Sequence, residues 1–593
     1  MRRIRRALLT AVGTVLVFAL SATGAVAAFN AITSNPGNSF GMAPDFARPV
    51  ADRATITHSN GKEGHVKAGA TYVAYGNVQA DEGNPPSGIA SVNTDLSTLG
   101  GSSATPLTTS TCPCTIGGQT YNYKTATLTV GAGIAEGSKT FSLTLTDNAA
   151  NSGIDGGYTV NVDNTAPAVA AGAAGAVIQK SSGGKAGFLK ASAPYYVYAN
   201  PTDAGSGVST VTANVASVTT GATAVALTTA GGPWTGIDGN TYTHRSTQQT
   251  ANAGLTTGAK TFTLTGTDAV TNTATTSDYI VTADLAAPTL TRSVLAKTTG
   301  YSGSYLKPSG TYHVYAELAD ASSGVFSATA NVADATTGQT ALTMTTTGGP
   351  WTVEGQTYAW RSQSQLTANA GLTNGTGKTW SVTATDNADV VSGALAGTTF
   401  TGDNAAPTTV NTFTATNGTA VAGEGGVARR PDRNDKMTFV FNDQIDTGSL
   451  INGFGGMADG VAQNVLVQLN DNGTGTDNGG TTDSITIFDA TTPTERVKLG
   501  TLRLGRDFLD WTVGKTKVFG TAAAPSTMVR VSGTPTEVRI TLGANTTNYD
   551  RVLTGGVLPH TMAWTPLAGM YDRAGNALTD LATVNQILPA TSF

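Results

Sequence analysis

Asp163-Asn164-Thr165-Ala166-Pro167, Asp284-Leu285-Ala286-Ala287-Pro288 and Asp403-Asn404-Ala405-Ala406-Pro407 are three forms of one segment, an aspartate followed after three residues by proline. Pro167, Pro288 and Pro407 succeed one another at intervals of 121 and 119 residues, about the length of one domain. The 593-residue chain is too long for a single core and suits roughly four domains of about 100–150 residues. An array of this kind points to spacing or adhesion rather than to one active site.

Working outward from the proline segments, each repeat carries the same pieces in the same order. A tyrosine-rich alternating run comes first: Tyr72-Val73-Ala74-Tyr75, Tyr195-Tyr196-Val197-Tyr198 and Tyr312-His313-Val314-Tyr315. Alternation of aromatic and β-branched residues with others predicts a strand with one buried face. An acidic turn ending in Ser-Gly follows: Asp81 before Ser87-Gly88-Ile89, Asp203 before Ser206-Gly207-Val208, and Asp320 before Ser323-Gly324-Val325. Asp and Gly ahead of renewed alternation mark a corner between strands. The last shared piece runs from Lys-Thr to Thr-Asp: Lys139 to Asp147, Lys260 to Asp268, and Lys378 to Asp386. With 72 glycines, 12% charged residues and no long amphipathic helix, the expectation is all-β, one sandwich per repeat.

These pieces resemble bacterial immunoglobulin-like repeats of exported surface proteins, a resemblance covering residues 51–407. It implies tandem immunoglobulin-like β-sandwiches at 51–167, 168–288 and 289–407. Residues 408–593 hold a strand and corner at Met437–Asp443 and the acidic turn Tyr571-Asp572-Arg573-Ala574-Gly575-Asn576. They resemble the longer immunoglobulin-like modules of bacterial surface layers, which implies a larger sandwich.

At the N-terminus, four arginines within residues 2–6 precede an apolar run and Ala25-Val26-Ala27, the pattern of a signal peptide over 1–27 with a leader at 28–50. Export to the cell surface or medium follows, and the membrane is crossed only if that segment is retained. Ala28-Phe29-Asn30 through Phe40 resembles the start of secreted matrix-fibre proteins and other cargo of a dedicated signal peptidase, which implies strand addition to a neighbouring subunit. A loose leader is the plainer reading. Without residues 1–27 the chain has 30 basic and 39 acidic residues, a net charge of −9. An acidic chain without a Lys/Arg cluster is a poor partner for nucleic acid and a fair one for cations.

In an immunoglobulin-like sandwich the linker, the corner and the last turn meet at one end. The first junction then gathers Asp163, Asn164, Asp203 and Asp268; the second gathers Asp284, Asp320 and Asp386, with Asp389 nearby. The third gathers Asp403 and Asn404 with Asp443 or Asp446 and Asp572. Three carboxylates with backbone and amide oxygens can supply the six to eight oxygens that calcium takes. The same residues also cap turns without any metal. The acidic loop from Asp471 to Asp483 lacks EF-hand spacing and reads as a hairpin loop.

Cys112 and Cys114 flank Pro113 where the other repeats read Gly232-Pro233-Trp234 and Gly349-Pro350-Trp351. A disulfide between them would replace an aromatic anchor by a local staple, and no second Cys or His pair has zinc spacing. The five histidines share no motif, and there is no nucleophile elbow, metalloprotease helix or phosphate-binding loop. The expected function is a non-enzymatic stalk at the cell surface, partnered by protein or glycan. The alternatives are an adhesin whose head is the 408–593 module and a subunit of a matrix fibre.

Overall fold

The computed structural model describes residues 45–80, 85–298, 304–421, 426, 428, 430–451, 460–472, 482–506, 508–509, 515–531, 536–545 and 561–586. The signal segment, most of the leader, Asp81 and the centre of the acidic loop, residues 473–481, lie outside them. The described chain is almost entirely strand and turn. Its one α-helix, Thr447–Leu450, is a single turn capped by Asp446. No helix among the described residues is long and apolar enough to cross a membrane. Two compact units divide the chain, one ending at Val160 and the other running from Asn161 and taking in Ala135–Gly137.

The first unit is a sandwich. One sheet pairs Ala51–His58 with Thr71–Val78 and then with Tyr123–Lys124 and Leu128–Thr129. The other orders His65–Val66, Ser152–Val162, Gly137–Asp147, Ile89–Asp95 and Thr105–Leu107. Period-two alternation decides which side chains go in: Tyr72, Ala74 and Val78 from the first sheet are buried, and Val78 packs in one cluster with Leu143 and Leu145 from the second.

The second unit repeats this arrangement twice in sequence before a larger sheet. Its first sandwich is wound from one path: Ala176–Lys180, Pro194–Ala199, His244–Ser246, Val225–Thr228, Val208–Asn214, Gly258–Asp268, Thr273–Ala283 and Phe188–Leu189. The next begins with Thr289–Lys297 against Thr311–Ala319, and further along it Val325–Asn331 pairs with Ser381–Asp386 and that strand with Leu395–Ala396. Tyr195 and Tyr312 are fully buried, each worth roughly the 1.5–3 kcal/mol of a large apolar side chain. Their hydroxyls meet Thr219 and Thr336 at 2.7 Å. Cys112 and Cys114 are joined by a disulfide in the hairpin that carries Trp234 and Trp351 in the other two sandwiches.

From Thr409 onward a ten-stranded sheet folds over a separate core. Trp564 lies at its centre, fully buried, edge-on to Phe439 and Phe441 at 5.0 and 5.5 Å, with its indole N–H on the Leu499 carbonyl. Ala462–Asn470 and Ser484–Asp489 pair antiparallel, so the acidic loop joins two neighbouring strands.

Two registers fix the joints. Val208 pairs with Asp268 and Val325 with Asp386, each beside a bulge, so the corner and the last turn share one end of the sandwich. Short parallel pairs, Leu189 with Ala283 and Leu306 with Gly402, bring the outgoing chain back to the preceding sandwich. There the amides of Asp284 and Asp403 donate to the carbonyls of Leu189 and Leu306.

Candidate metal centres at the sandwich joints

Each joint is assembled from three local turns, and in each an aspartate uses one oxygen to hold backbone N–H groups. In the linkers, Oδ1 of Asp163, Asp284 and Asp403 accepts from Thr165, Ala286 and Ala405 at 3.0–3.1 Å. In the corners, Oδ1 of Asp203 accepts from Gly205 and Gly207, and Oδ1 of Asp320 from Ser322, Ser323 and Gly324. These corners close through a left-handed residue, Gly207 at φ 86° and Gly324 at φ 80°, a conformation that a Cβ disfavours. In the last turns, Oδ1 of Asp268 accepts from Val270 and Asn272, that of Asp386 from Ala388 and Val390, and that of Asp572 from Asn576. This is ordinary Asx-turn chemistry.

The outcome is three clusters, Asp163/Asp203/Asp268, Asp284/Asp320/Asp386 and Asp403/Asp443/Asp572, in each of which one carboxylate oxygen per residue lies within 4.8 Å of the others. At the third joint the corner position belongs to Asp443. Asp446 instead caps the helix, accepting from Gly448 at 2.9 Å. Asn164 and Asn404 are exposed, and Asp389 turns to Lys180, 3.4 Å away.

The second oxygens differ between joints. At the first, Asp163 Oδ2 accepts from Ser206 N and Asp268 Oδ2 from the Asn272 amide, both at 2.6 Å. At the third, Asp572 Oδ2 accepts from the Asn576 amide at 2.8 Å. At the second, Val390 stands in place of that asparagine. Asp284 and Asp386 are both fully buried there, and the Oδ2 of each has no hydrogen-bond partner. Two orphaned anionic oxygens beside a third carboxylate are costly to bury. A hard divalent cation fits this donor set, because it would satisfy the free oxygens and offset the charge together.

Burial marks the charge problem directly. It pushes the carboxyl of Asp572 up to about 6, with the charges of Asp403 and Asp443 adding to the effect. Asp386 and Asp403 are raised for the same first reason.

A second set of contacts, absent from the sequence reading, grips the same turns from the preceding sandwich. The ammonium of buried Lys180 donates to the Asn387 carbonyl, and that of Lys190 to the Asp389 carbonyl. One sandwich later, Lys297 and Lys307 donate to the carbonyls of Arg573 and Gly575, and the Arg573 guanidinium lies over the Tyr305 ring at 5.5 Å. Lys180 and Lys297 end corresponding strands, and Lys190 and Lys307 follow corresponding short ones. The signal was present as Phe-Leu-Lys and Tyr-Leu-Lys, but a lone lysine there is indistinguishable from a solvated one.

The first sandwich has its own linker aspartate, which the sequence reading also passed over. Asp45-Phe46-Ala47-Arg48-Pro49 keeps the aspartate-to-proline spacing, and Asp45 accepts from Ala47 N and Ser87 N at 3.0 and 3.1 Å, as Asp163 does from Thr165 and Ser206.

No model of a protein family matches the chain, and no curated protein sequence does. Among solved structures, a tetra-tandem repeat from the extending region of a large adhesion protein is 15% identical over 83% of this chain and 99% of that one, with a TM-score of 0.19. A Ca2+-stabilized adhesin with which an Antarctic bacterium reaches out and binds ice is 16% identical over 84% and 99%, with a TM-score of 0.18. The fibronectin(III)-like modules of CbhA from Clostridium thermocellum are 13% identical over 39% and 94%, with a TM-score of 0.19. At these scores no residue role in this chain follows from theirs.

Proposed function

We propose that the chain is an exported, non-enzymatic stalk of immunoglobulin-like domains, 51–167, 168–288, 289–407 and 408–593, whose successive joints are stiffened by calcium. The observation that carries the reading is the second joint. There two fully buried aspartates, Asp284 and Asp386, each keep an oxygen without a partner, beside Asp320. When bound, the ion supplies the missing counter-charge and ties linker, corner and turn into one unit. The residues do the rest: Oδ1 of each aspartate fixes its own turn, so Oδ2 is already placed, and at the second and third joints the lysines hold the turn to the sandwich before it. The second and third junctions then transmit force as braced contacts between two domains rather than as free linkers. Protein or glycan partners at the cell surface follow from an exported acidic array without a catalytic constellation.

Calorimetric titration of the mature chain with calcium tests the joints. Binding together with a rise in melting temperature is expected, and neither occurring would overturn the reading. Cell fractionation with N-terminal sequencing of the mature form tests export.

A further inference from the structure

Beside the third joint lies a cavity of about 580 Å³ whose wall comes from both the sandwich begun at Thr289 and the larger sheet that follows. Three lysines line it, Lys297, Lys307 and Lys498, against one lining carboxylate, Asp446, with Asp572 of the adjacent joint also close enough to act on Lys297. Asp446 is committed to the amide of Gly448. Lys297 and Lys307 each spend one proton on a turn carbonyl, and an ammonium has three. Lys498 has no side-chain partner among the described residues. The cavity is therefore a concentration of positive charge on a chain whose net charge is −5.

The rest of the lining narrows the ligand. Ser449 and Thr311 place hydroxyl oxygens in the wall, although Ser449 gives its proton to the Asp446 carbonyl and Thr311 is bonded to Thr298; Tyr571 is 42% exposed, and glycines supply open backbone. Only Ala574 is aliphatic. The volume falls within the ordinary range of small-ligand sites, roughly 300–1,000 Å³, which favour domain boundaries. Hydroxyl oxygens that can still accept, one exposed aromatic side chain and several ammonium groups together match a polyhydroxylated ring that carries an anionic group.

We propose that this cavity binds a carboxylate-bearing saccharide, with the carboxylate held by Lys498 and the free protons of Lys297 and Lys307, and the sugar ring set against Tyr571. The site would make the joint itself a point of glycan recognition, and it rests on the lysines rather than on any bound ion.

Titration calorimetry on the mature chain in calcium-free buffer tests it, with a glucuronate-containing disaccharide, the matching neutral disaccharide and inorganic phosphate as separate ligands. Binding of the glucuronate sugar is expected. It should weaken about tenfold or more in Lys498→Gln, as loss of a charge-assisted hydrogen bond implies, recover in part in Lys498→Arg, and be absent for the neutral sugar. An unchanged melting temperature in Lys498→Gln shows that the variant is folded. No glucuronate binding at millimolar concentration, equal binding of the neutral sugar, phosphate binding as tight as the sugar, or an unchanged affinity in Lys498→Gln would each overturn the proposal.

Discussion

The side-chain amide of Asn272 donates to the main-chain carbonyl of Asp163 at 2.8 Å, across 109 residues of sequence. Its other contact is Asp268 Oδ2, so one amide ties the incoming linker to the last turn of the same sandwich. Asn576 repeats the arrangement with Asp403 and Asp572, and Asn151 with Asp45 and Asp147. The middle joint departs from it because residue 390 is valine. That single difference sorts the joints into those already satisfied by an amide and one that is not.

Replacing the amide removes two partners from buried groups. Asn576→Ala is expected to destabilise the C-terminal sandwich by about 1–3 kcal/mol, read as a lower denaturant midpoint. The converse change, Val390→Asn, supplies a donor to Asp386 Oδ2. It should raise the melting temperature in chelator and have little effect in calcium, and equal effects in both buffers would refute the account.

Asp386→Asn tests the middle centre itself. Ligand charge governs calcium affinity, so affinity at that joint is expected to fall about tenfold or more, with the other two centres unaltered. Calorimetry that shows every class of site intact would count against Asp386 as a ligand.

Lys180 is 3% exposed and holds the Asn387 carbonyl from the sandwich before. Lys180→Met keeps the apolar stem and removes the charge, at an expected cost of about 1–3 kcal/mol for the lost charge-assisted bond. Hydrogen exchange should quicken at the amides of residues 386–390 and stay unchanged in the core around Trp564. Uniform acceleration throughout would mean that the lysine does not act at the joint.

A pH dependence follows from Asp435, which lies away from the joints. Fully buried, it accepts from Gly418 N and Asp432 N, and burial, with the Asp432 carboxylate adding, pushes it up to about 7. Unfolded, an aspartate titrates near about 3.9. Across that interval the folded chain holds a proton that the unfolded chain has released, so stability falls as pH rises and the loss is complete above about 7. Denaturant unfolding from pH 5 to 8 in saturating calcium, which keeps the joint carboxylates bound, should show this slope. Asp435→Asn should flatten it, and parallel slopes would exclude Asp435 as the cause.

Much of the joint was legible before the fold because its parts are local. Corners with an aspartate ahead of Ser-Gly, Asp-terminated strands and Asp…Pro linkers each report their own turn, and the common topology of a sandwich places them at one end. Asp45 escaped because Arg48 interrupts the Ala-Pro ending. The choice between Asp443 and Asp446 stayed open because both follow the same strand, and only the helix begun at Thr447 separated them. The disulfide of the first sandwich could be expected from Cys112 and Cys114, two residues apart, only because they stand where the other repeats carry Gly-Pro-Trp.

By itself, then, the sequence determined that this protein is a series of β-sandwiches with acidic ends, since alternation of period two and Asx turns depend on neighbours a few residues away. Tertiary structure alone decided which oxygens remain free, which lysines cross to the next sandwich, and where two of them meet Lys498 around a charged cavity. Those outcomes depend on packing between chain segments more than a hundred residues apart, such as Lys180 with Asn387 and Lys297 with Arg573. No local pattern encodes that separation: the same lysine, valine or asparagine reads alike in the sequence whether it faces solvent or a buried carbonyl.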